Sequence, residues 1–505
     1  MSAPRWMLPA AAGVGSVVLG LGAAELTAAL VAPAASPLLV VGALAIDLAP
    51  AWAKEAAIAL FGTGDKAALI AGIVIVLLIV SAVAGVLQAR RPPLGRLIFA
   101  AGAIAGVAAA LTRSGAAVFD AIPSAVAAIV AALALGFLLR KAPEEAARPR
   151  PTDPTRRTFL AWAGGATALG ALATAGGFLL ETGARTATAV RDAFTLPKPA
   201  SPTAPVPAGA ELGIDGLAPV ITPNRAFYRI DTALQIPRID PASWTLRITG
   251  MVENEVELGW DELLALPMRE SYTTLTCVSN EVGGELIGNA RWLGYPIRDI
   301  LNRAVPHADA DMVLSRSIDG FTAGTPLEVL LEEDRDAIFA IGMNGEPLPP
   351  EHGFPVRMVV PGLYGYVSAT KWVVELEVTR FDRASAYWTD RGWGEKGPIK
   401  LQSRIDVARG GVGEMTVAGV AWHQHTGIAG VEVRIDGGAW KPAVLAEAIS
   451  PDTWVQWSYR FAPDAGDHEV QVRAIGADGE VQTERIADVV PDGATGYHTV
   501  TVTAY

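Results

Sequence analysis

The stretch Thr273–Gly294 reads TTLTCVSNEVGGELIGNARWLG and contains Cys277, the only cysteine among 505 residues. A lone thiol cannot form an internal disulfide, an iron–sulfur cluster or a four-cysteine zinc site. It can fill a core, act as a nucleophile or bind a soft metal as a single thiolate. The run Tyr272–Thr276 predicts a strand, and the polar run Ser279–Gly284 predicts a loop. Because scaffolds present working groups on such loops, a functional thiol is as well supported here as core packing.

Five short segments between residues 222 and 372 extend this observation, because they resemble, in order, motifs of the sulfite oxidase family of molybdenum enzymes. They are TPNRAFYR at 222–229, TLTCVSN with GNARWLG within 274–294, MNGEPLP at 343–349, HGFPVRMVVPG at 352–362 and KW at 371–372. The likeness covers most of residues 220–505. The chain is therefore identified as a member of this family of molybdopterin-dependent oxidoreductases.

The resemblance implies a molybdenum cofactor with one pterin, whose metal is bound by the thiolate of Cys277. Buried phosphate and ring amides require cations and backbone donors around them. The positions that match cofactor-binding residues of the family are Phe227, Tyr228, Arg229, Asn280, His352, Arg357, Gly362, Ser368 and Lys371. Taken alone, Lys371 reads equally well as a solvated surface charge, whereas the match from His352 to Arg357 is too long for that interpretation.

Two positions depart from the family pattern. Asn280-Glu281-Val282 stands where sulfite oxidases carry Asn-Arg-Arg, and Phe321 stands where they carry a tyrosine. Both changes remove donors for an anionic substrate, and each lost charged hydrogen bond costs about 1.5–3 kcal/mol. Glu281 also adds a negative charge. With Cys277, Glu281 and Phe321 as the catalytic residues, we expect oxygen-atom transfer on a small neutral oxo-compound rather than efficient sulfite oxidation.

The first 180 residues are rich in Ala, Leu, Val, Ile and Gly, unlike the remainder. Four stretches over residues 1–140 approach the ~20 residues that a membrane span requires. They are Leu8–Val31, Ala67–Leu87, Leu97–Thr112 and Ala116–Leu139. The segment 36–66 is apolar only in part and predicts a re-entrant or interfacial element, with a fifth span as the alternative.

Basic residues predict how these spans are oriented. Arg5, the pair Arg90-Arg91 and the pair Arg140-Lys141 fall at alternate ends of four spans, which places all three sites in the cytoplasm. Residues 141–157 then form a basic cytoplasmic linker.

Arg156-Arg157-Thr158-Phe159-Leu160 precedes another apolar run, so residues 158–180 predict a signal or anchor helix. It is either a plain anchor or, by resemblance, a twin-arginine export signal. Twin-arginine export carries folded proteins, which suits a cofactor inserted in the cytoplasm. The prediction is a multi-pass protein of the cell membrane with its catalytic domain on the extracytoplasmic side.

Residues 181–216 are predicted to form a proline-rich linker to two folded domains. In residues 217–385, strand patterns at 244–248 and 373–378 alternate with short helices at 260–267 and 297–304, which predicts an α+β domain. In residues 386–505, strand patterns recur at 415–421, 431–435, 454–461, 469–474 and 499–503. The fold class is thus a multi-span α-helical membrane domain, an α+β molybdopterin domain and an all-β sandwich. The resemblance makes that sandwich an immunoglobulin-like domain that forms a homodimer.

Composition limits the redox partners. The six histidines begin at His307, after the apolar part, so the spans cannot hold a bis-histidine haem. The lone cysteine excludes iron–sulfur clusters and a c-type haem attachment pair. We therefore expect no haem and no iron–sulfur cluster, and a separate cytochrome or quinone-linked protein as electron partner. Glu25, an acid inside an apolar span, is a further functional candidate.

A net charge of −12 argues against nucleic acid as a partner. Two alternatives to the oxo-transfer enzyme stay open. One is a molybdenum-free, membrane-tethered binding or scaffold protein, and the other is a true sulfite oxidase or dehydrogenase.

Overall fold

A computed structural model describes residues 6–32, 35–50, 53, 60–61, 65–113, 116–142, 154–180, 191, 193–234, 236–237 and 239–505. The chain divides into two compact units. The first comprises Met1–Thr186 with Thr232–Ile236, and the second comprises Ala187–Asp231 with Pro237–Tyr505.

The first unit is helical. Its helices are α1 (Met7–Val31), α2 (Pro37–Leu48), α3 (Asp65–Arg90), α4 (Leu94–Leu111), α5 (Ile122–Lys141) and α6 (Pro154–Leu180). Within the described part of the chain, five stretches are long and apolar enough to cross a membrane, judged by length and composition: Met7–Val31, Lys66–Arg90, Leu94–Leu111, Val118–Lys141 and Arg157–Gly177. The four predicted spans and the predicted anchor helix each coincide with one of these. The 12-residue α2 is too short to span, and residues 51–52, 54–59 and 62–64 of the segment 36–66 lie outside the described residues.

Helix α6 begins earlier than the predicted anchor. It starts at Pro154, where the fixed φ of proline suits the first turn of a helix. Arg156 and Arg157 therefore lie in the first turns of a helix and not in a linker. Residues 143–153 of the predicted linker lie outside the described residues.

Helix α1 packs closely against α6 through small residues. A Cβ atom at Gly22 would lie 2.3 Å from the carbonyl oxygen of Gly170, so the two backbones are in near contact there. Glu25 on the same helix is only 4% exposed and accepts a hydrogen bond of 2.8 Å from Ser36 Oγ. The acid predicted from the sequence is therefore buried within the helical unit.

The second unit begins with an α+β part. Its strands are β1 (Thr245–Gly250), β2 (Val256–Gly259), β3 (Arg269–Thr276), β4 (Ile287–Pro296), β5 (Met312–Ser317), β6 (Thr322–Pro326), β7 (Ile338–Met343), β8 (Glu346–Pro347), β9 (Arg357–Val359) and β10 (Val373–Thr379). One sheet has the order β2-β1-β10-β5-β6, and the other has the order β3-β4-β7-β8 with β9 paired to β7. Strands β1 and β10 pair in parallel, whereas the remaining pairs are antiparallel.

Short helices connect these strands: α7 (Trp260–Leu264), α8 (Ile297–Ala304), α9 (Leu327–Leu331) and α10 (Gly365–Ser368). The predicted helix at 297–304 is confirmed. The helix predicted over 260–267 ends at Leu264, three residues before Pro267, which disfavours helical backbone at Leu266 and limits any extension.

The remainder of the second unit, called here the C-terminal β part, contains β11 (Gln402–Gly411), β12 (Glu414–Trp422), β13 (Ile428–Ile435), β14 (Lys441–Pro442), β15 (Val444–Leu445), β16 (Val455–Phe461), β17 (Gly466–Gly476) and β18 (His498–Ala504). They form two antiparallel sheets, β11-β12-β16-β15 and β14-β13-β17-β18, which share one apolar core. The five predicted strands are present. Strand β11 was not predicted, because its second half is an exposed run of arginine and glycine.

Candidate functional site

Cys277 directly follows β3 and is buried, with 8% of its surface exposed. Its N–H donates to the carbonyl of Leu286 at 2.9 Å, which continues the β3–β4 ladder by one residue. Burial raises the pKa of the Cys277 thiol, whereas hydrogen bonds from Ser279 and the charge of Lys371 lower it. The predicted strand end is confirmed, but the thiol is enclosed rather than presented on an open loop.

Asn280 shapes the loop that follows. Its N–H donates to the carbonyl of Cys277 at 3.1 Å, and its Oδ1 accepts from the N–H of Leu286 at 2.8 Å. Gly284 lies against the same Oδ1, where a Cβ atom would approach to 2.6 Å. The side chain predicted to contact the cofactor therefore closes the turn behind the cysteine.

Aromatic rings form one side of the site. Phe227 stacks on Tyr228 with ring centroids 5.3 Å apart, and it meets Trp292 and His352 edge-on at 5.8 and 5.6 Å. Burial raises the pKa of Tyr228, and the nearby charge of Cys277 raises it further. The phenol is therefore neutral and lies beside the cysteine. The roles predicted for Phe227 and Tyr228 in lining the cofactor stay predictions.

Arg357 places a positive charge in the interior. The residue is 4% exposed, and its guanidinium donates to the carbonyls of His352, Met358 and Ala369 at 3.2, 3.3 and 3.4 Å. It also lies over the ring of Trp292, 5.1 Å from the centroid. Among the described residues no carboxylate pairs with it. Since an uncompensated buried charge is costly, this arrangement suits an anionic ligand.

His352 is 2% exposed and neutral. Burial, followed by the charges of Arg357 and Lys371, lowers its pKa to about 3. Its Nε2 lies 3.1 Å from the carbonyl oxygen of Asn224, which makes Nε2 the protonated nitrogen. Nδ1 is then an acceptor, and it is buried without a partner among the described residues. A ligand N–H group would satisfy it.

A second charged cluster lies next to this histidine. Lys371 Nζ donates to Asp231 Oδ2 at 3.1 Å and to the carbonyl of Glu351 at 3.0 Å. Arg229 Nε contacts the same Oδ2 at 2.9 Å. Burial lowers the pKa of Lys371 to about 8, although Asp231 opposes the change. The surface-charge interpretation of Lys371 is wrong, because its side chain is only 10% exposed.

Asp319 adds another carboxyl group near this cluster. Its pKa is raised mainly by burial, and the charge of Asp231 raises it further, whereas the N–H of Phe321, which donates to Asp319 Oδ1 at 3.3 Å, opposes the change. Phe321 itself packs against Tyr387, with ring centroids 5.8 Å apart. The turn that carries Phe321 therefore lies near Asp231, on the Lys371 side of the site.

Other predicted residues contact different parts of the chain. Glu281 is exposed, and Val282 lies beside Gly496 of the C-terminal β part. Ser368 is buried, and its hydroxyl donates to the carbonyls of Leu363 and Tyr364, just before its short helix, at 3.2 and 2.9 Å.

Gly362 has φ of +83°, and a Cβ atom there would lie 2.6 Å from Arg335 Nη1 and 3.2 Å from His425 Cβ. Because glycine has no side chain, the backbone can pass through this crowded region. The roles predicted for Glu281, Gly362, Ser368 and Phe321 stay predictions.

Sequence reasoning missed Asp231, Asp319 and Tyr364. Burial raises the pKa of Tyr364 to about 12, opposed by a hydrogen bond from Lys400 and supported by the charge of Cys277. The phenol therefore lies near the thiol. Asp231 stands two residues after Arg229, where one matched segment ends, and Tyr364 stands two residues after Gly362, where another ends. The position of Asp231 and Tyr364 next to two matched motifs was the sequence signal that could have identified them.

Comparison with known proteins gives a consistent result. The family profile described as "Oxidoreductase molybdopterin binding domain" matches residues 233–388. Mitochondrial sulfite oxidase of Homo sapiens is 29% identical over 322 residues, covering 53% of this chain and 58% of that protein. The uncharacterized oxidoreductase YuiH of Bacillus subtilis (strain 168) is 33% identical over 158 residues, covering 31% of this chain and 76% of that protein. The alignment thus spans 58% of the length of the human relative.

The fold also resembles a solved structure. The sulfane dehydrogenase SoxCD from Paracoccus pantotrophus superimposes with a TM-score of 0.50 at 23% identity, covering 58% of this chain and 82% of that chain. At this identity the likeness concerns the fold alone.

Proposed function

Because this chain belongs to the sulfite oxidase family of molybdopterin-binding oxidoreductases, we propose that it is a membrane-anchored enzyme that transfers an oxygen atom to or from a small oxo-compound. One observation carries the proposal. Among the described residues, the buried guanidinium of Arg357 has no carboxylate partner and His352 Nδ1 has no hydrogen-bond partner, and both adjoin the aromatic side of the Cys277 site. A molybdenum–pterin cofactor contains a metal for the thiol, an anionic phosphate for the guanidinium and N–H donors for the histidine nitrogen.

The residues of the site fit this cofactor. Cys277 would bind the metal, since its thiol is the available soft ligand. Arg357 and Lys371 would neutralise the phosphate, and His352 Nδ1 would accept a hydrogen bond from an N–H group of the pterin. Phe227 would cover the ring system and exclude water. Bound there, the cofactor supplies oxygen-atom exchange coupled to two-electron transfer.

The preferred substrate is proposed to be neutral. Phe321 offers no hydroxyl to an anion, and Glu281 adds a negative charge to the cysteine loop. Asp231 lies within hydrogen-bond distance of both Arg229 and Lys371 and offsets part of their charge, and Asp319 lies near Asp231. A sulfite dianion would therefore meet a weaker positive field than the cations alone provide. Reduction of a sulfoxide-like compound suits this balance better than oxidation of sulfite.

We further propose that the five apolar helices anchor the enzyme in the cell membrane, with the catalytic domain outside. The signal that fits this orientation is the Arg156-Arg157 pair before the last span. The electron partner would be a separate cytochrome or quinone-linked protein. The C-terminal β part, with its two sheets, would be an immunoglobulin-like domain that forms a homodimer.

The test combines metal analysis with a substrate panel. Purified full-length protein should contain molybdenum in equimolar amount, and it should turn over neutral oxo-compounds with a reduced viologen faster than it oxidises sulfite with an electron acceptor. Cys277→Ser should abolish turnover and remove the protein sulfur contribution from the X-ray absorption of molybdenum. Protein that contains no molybdenum would refute the assignment, and fast sulfite oxidation with a low KM would refute the substrate class.

A further inference from the structure

The strand that carries Cys277 has two faces with different neighbours. Side chains alternate along β3, and the ladder continues through Cys277, so Leu275 and Cys277 point to one side while Thr274 and Thr276 point to the other. Leu275 joins the apolar cluster that includes Phe227. Thr274 and Thr276 are buried against the C-terminal β part. The C-terminal β part therefore lies directly behind the cysteine.

Gln424 of the C-terminal β part contacts Thr276, the residue immediately before the cysteine. It lies in the turn between β12 and β13 and is 4% exposed. Its Nε2 donates to Thr276 Oγ1 at 2.9 Å and to the carbonyl of Thr274 at 3.4 Å. A glutamine amide carries two protons on that nitrogen, so one side chain can serve both acceptors. Thr276 is bonded directly to Cys277, so this hydrogen bond ends one residue from the thiol.

Backbone hydrogen bonds fix the Gln424 turn relative to β3. The N–H of His425 donates to the carbonyl of Pro451 at 3.1 Å, and the N–H of Thr274 donates to the carbonyl of Asp452 at 3.0 Å. Thr274 Oγ1 in turn accepts from the N–H of Trp454 at 2.9 Å. The glutamine is thus held by the same loop that holds the strand, and its geometry relative to Thr276 is set from both sides.

We propose that Gln424 is a positioning residue for Cys277, through its hydrogen bond to Thr276, so that the C-terminal β part completes the active site. The inference rests on the proposed function, in which Cys277 binds molybdenum. Without the amide donor, the buried Thr276 hydroxyl loses its partner and the end of β3 gains freedom to rotate. The direction of the Cys277 thiol then varies, and the metal loses a fixed ligand geometry.

The experiment uses four variants of the full-length enzyme. Gln424→Met keeps the volume and removes the donor, Thr276→Val keeps the shape and removes the acceptor, and the third variant combines both. Gln456→Met is the matched control. Gln456 is also buried in the C-terminal β part, but its Nε2 donates hydrogen bonds to Glu211 Oε1 and to the carbonyl of Ala218.

We expect Gln424→Met to lower kcat by about five- to ten-fold with KM and molybdenum content little changed, the size expected from one buried hydrogen bond. The Mo(V) electron paramagnetic resonance signal should shift in the same variant. Thr276→Val should reproduce both effects, and the double variant should be no worse than either single one, because the two groups act as one unit. Gln456→Met should leave kcat and the signal unchanged.

Cys277 provides a second measurement that does not need the metal. Because it is the only cysteine, a thiol reagent applied to full-length protein produced without molybdenum reports on Cys277 alone. Gln424→Met and Thr276→Val should raise the alkylation rate at least five-fold above wild type, whereas Gln456→Met should not. If the enzyme proves to lack molybdenum, this assay still tests positioning while the proposed function fails.

Three results would overturn the inference. The first is additive losses in the double variant, and the second is equal behaviour of Gln424→Met and Gln456→Met. The third is an unchanged Mo(V) signal and alkylation rate in Thr276→Val. If Gln424→Met does not fold, Thr276→Val carries the same test, since it leaves the glutamine in place.

Discussion

Replacing Arg357 by methionine should separate cofactor binding from stability more sharply than any other substitution in the site. The guanidinium is buried, and burial lowers its pKa from the ordinary arginine value to about 10. At about 1.4 kcal/mol for each ten-fold change, this corresponds to roughly 3 kcal/mol against the charged form. Its hydrogen bonds to the carbonyls of His352, Met358 and Ala369 return about 1 kcal/mol each. The two contributions nearly cancel, so Arg357→Met should change the unfolding free energy of the cofactor-free protein by less than about 2 kcal/mol.

Cofactor retention should respond much more strongly. A unit positive charge about 4 Å from a phosphate contributes about 4 kcal/mol at an effective dielectric constant near 20. Loss of that charge corresponds to roughly a thousand-fold weaker binding. After extended dialysis, the ratio of molybdenum to protein in Arg357→Met should fall to a small fraction of the wild-type ratio.

Arg404→Met is the matched control. The Arg404 side chain is 9% exposed, pairs with Asp406 and donates to the carbonyl of Gly284 at 2.7 Å. Breaking such a buried pair costs about 3–5 kcal/mol because it strands the partner charge. Denaturant unfolding of both variants, followed by tryptophan fluorescence, measures the difference between their unfolding free energies. A loss of 3–5 kcal/mol in cofactor-free Arg357→Met, with molybdenum retained, would refute the assignment of Arg357 to cofactor binding.

Three further predictions concern stability, export and substrate. The pKa of His425 is raised chiefly by its hydrogen bond to Asp452, so the stabilisation is complete below about pH 6.5 and is lost as the pH rises through the raised value. His425→Gln and Asp452→Asn should each remove this pH-dependent part, at most about 1 kcal/mol for a half-buried pair, from thermal unfolding profiles; profiles parallel to wild type would contradict it. Arg156→Lys combined with Arg157→Lys should leave the catalytic domain inside the cell, which protease accessibility in intact cells measures; normal export would leave the plain-anchor interpretation. Phe321→Tyr should raise sulfite turnover from a low wild-type value in steady-state assays, and an unchanged rate would show that a hydroxyl at this position does not limit sulfite oxidation.

The elements that the sequence predicted well are those governed by local pattern. The apolar runs are long enough to appear as helices, and the helix over Ile297–Ala304 agrees with its prediction at both ends. The strand before Cys277 was visible because β-branched and aromatic residues end abruptly at a polar, glycine-bearing loop. Strand β11 was not visible, because arginine, aspartate and glycine interrupt its apolar residues and its pairing with β12 leaves no local pattern.

The site was predictable where residues stood inside a matched motif, and much less so elsewhere. Gln424 and Thr276 are separated by 148 positions and meet only through the fold. No periodicity or spacing in the sequence relates them. The burial of Lys371 was also not predictable from the sequence. Its partners, Asp231 and the carbonyl of Glu351, are distant in the chain and meet it only in the fold.

Three groups in the site are unfavourable as long as no ligand is bound, and each requires a different chemical partner. Arg357 is a buried cation, His352 Nδ1 is a buried acceptor, and the thiolate of Cys277 is disfavoured by burial. A hydrophobic or purely cationic ligand would relieve at most one or two of them. A single group with an anion, an N–H donor and a metal relieves all three at once. Loading should therefore stabilise the folded chain by mass action, with a higher unfolding temperature for molybdenum-replete protein than for the same chain produced without the metal.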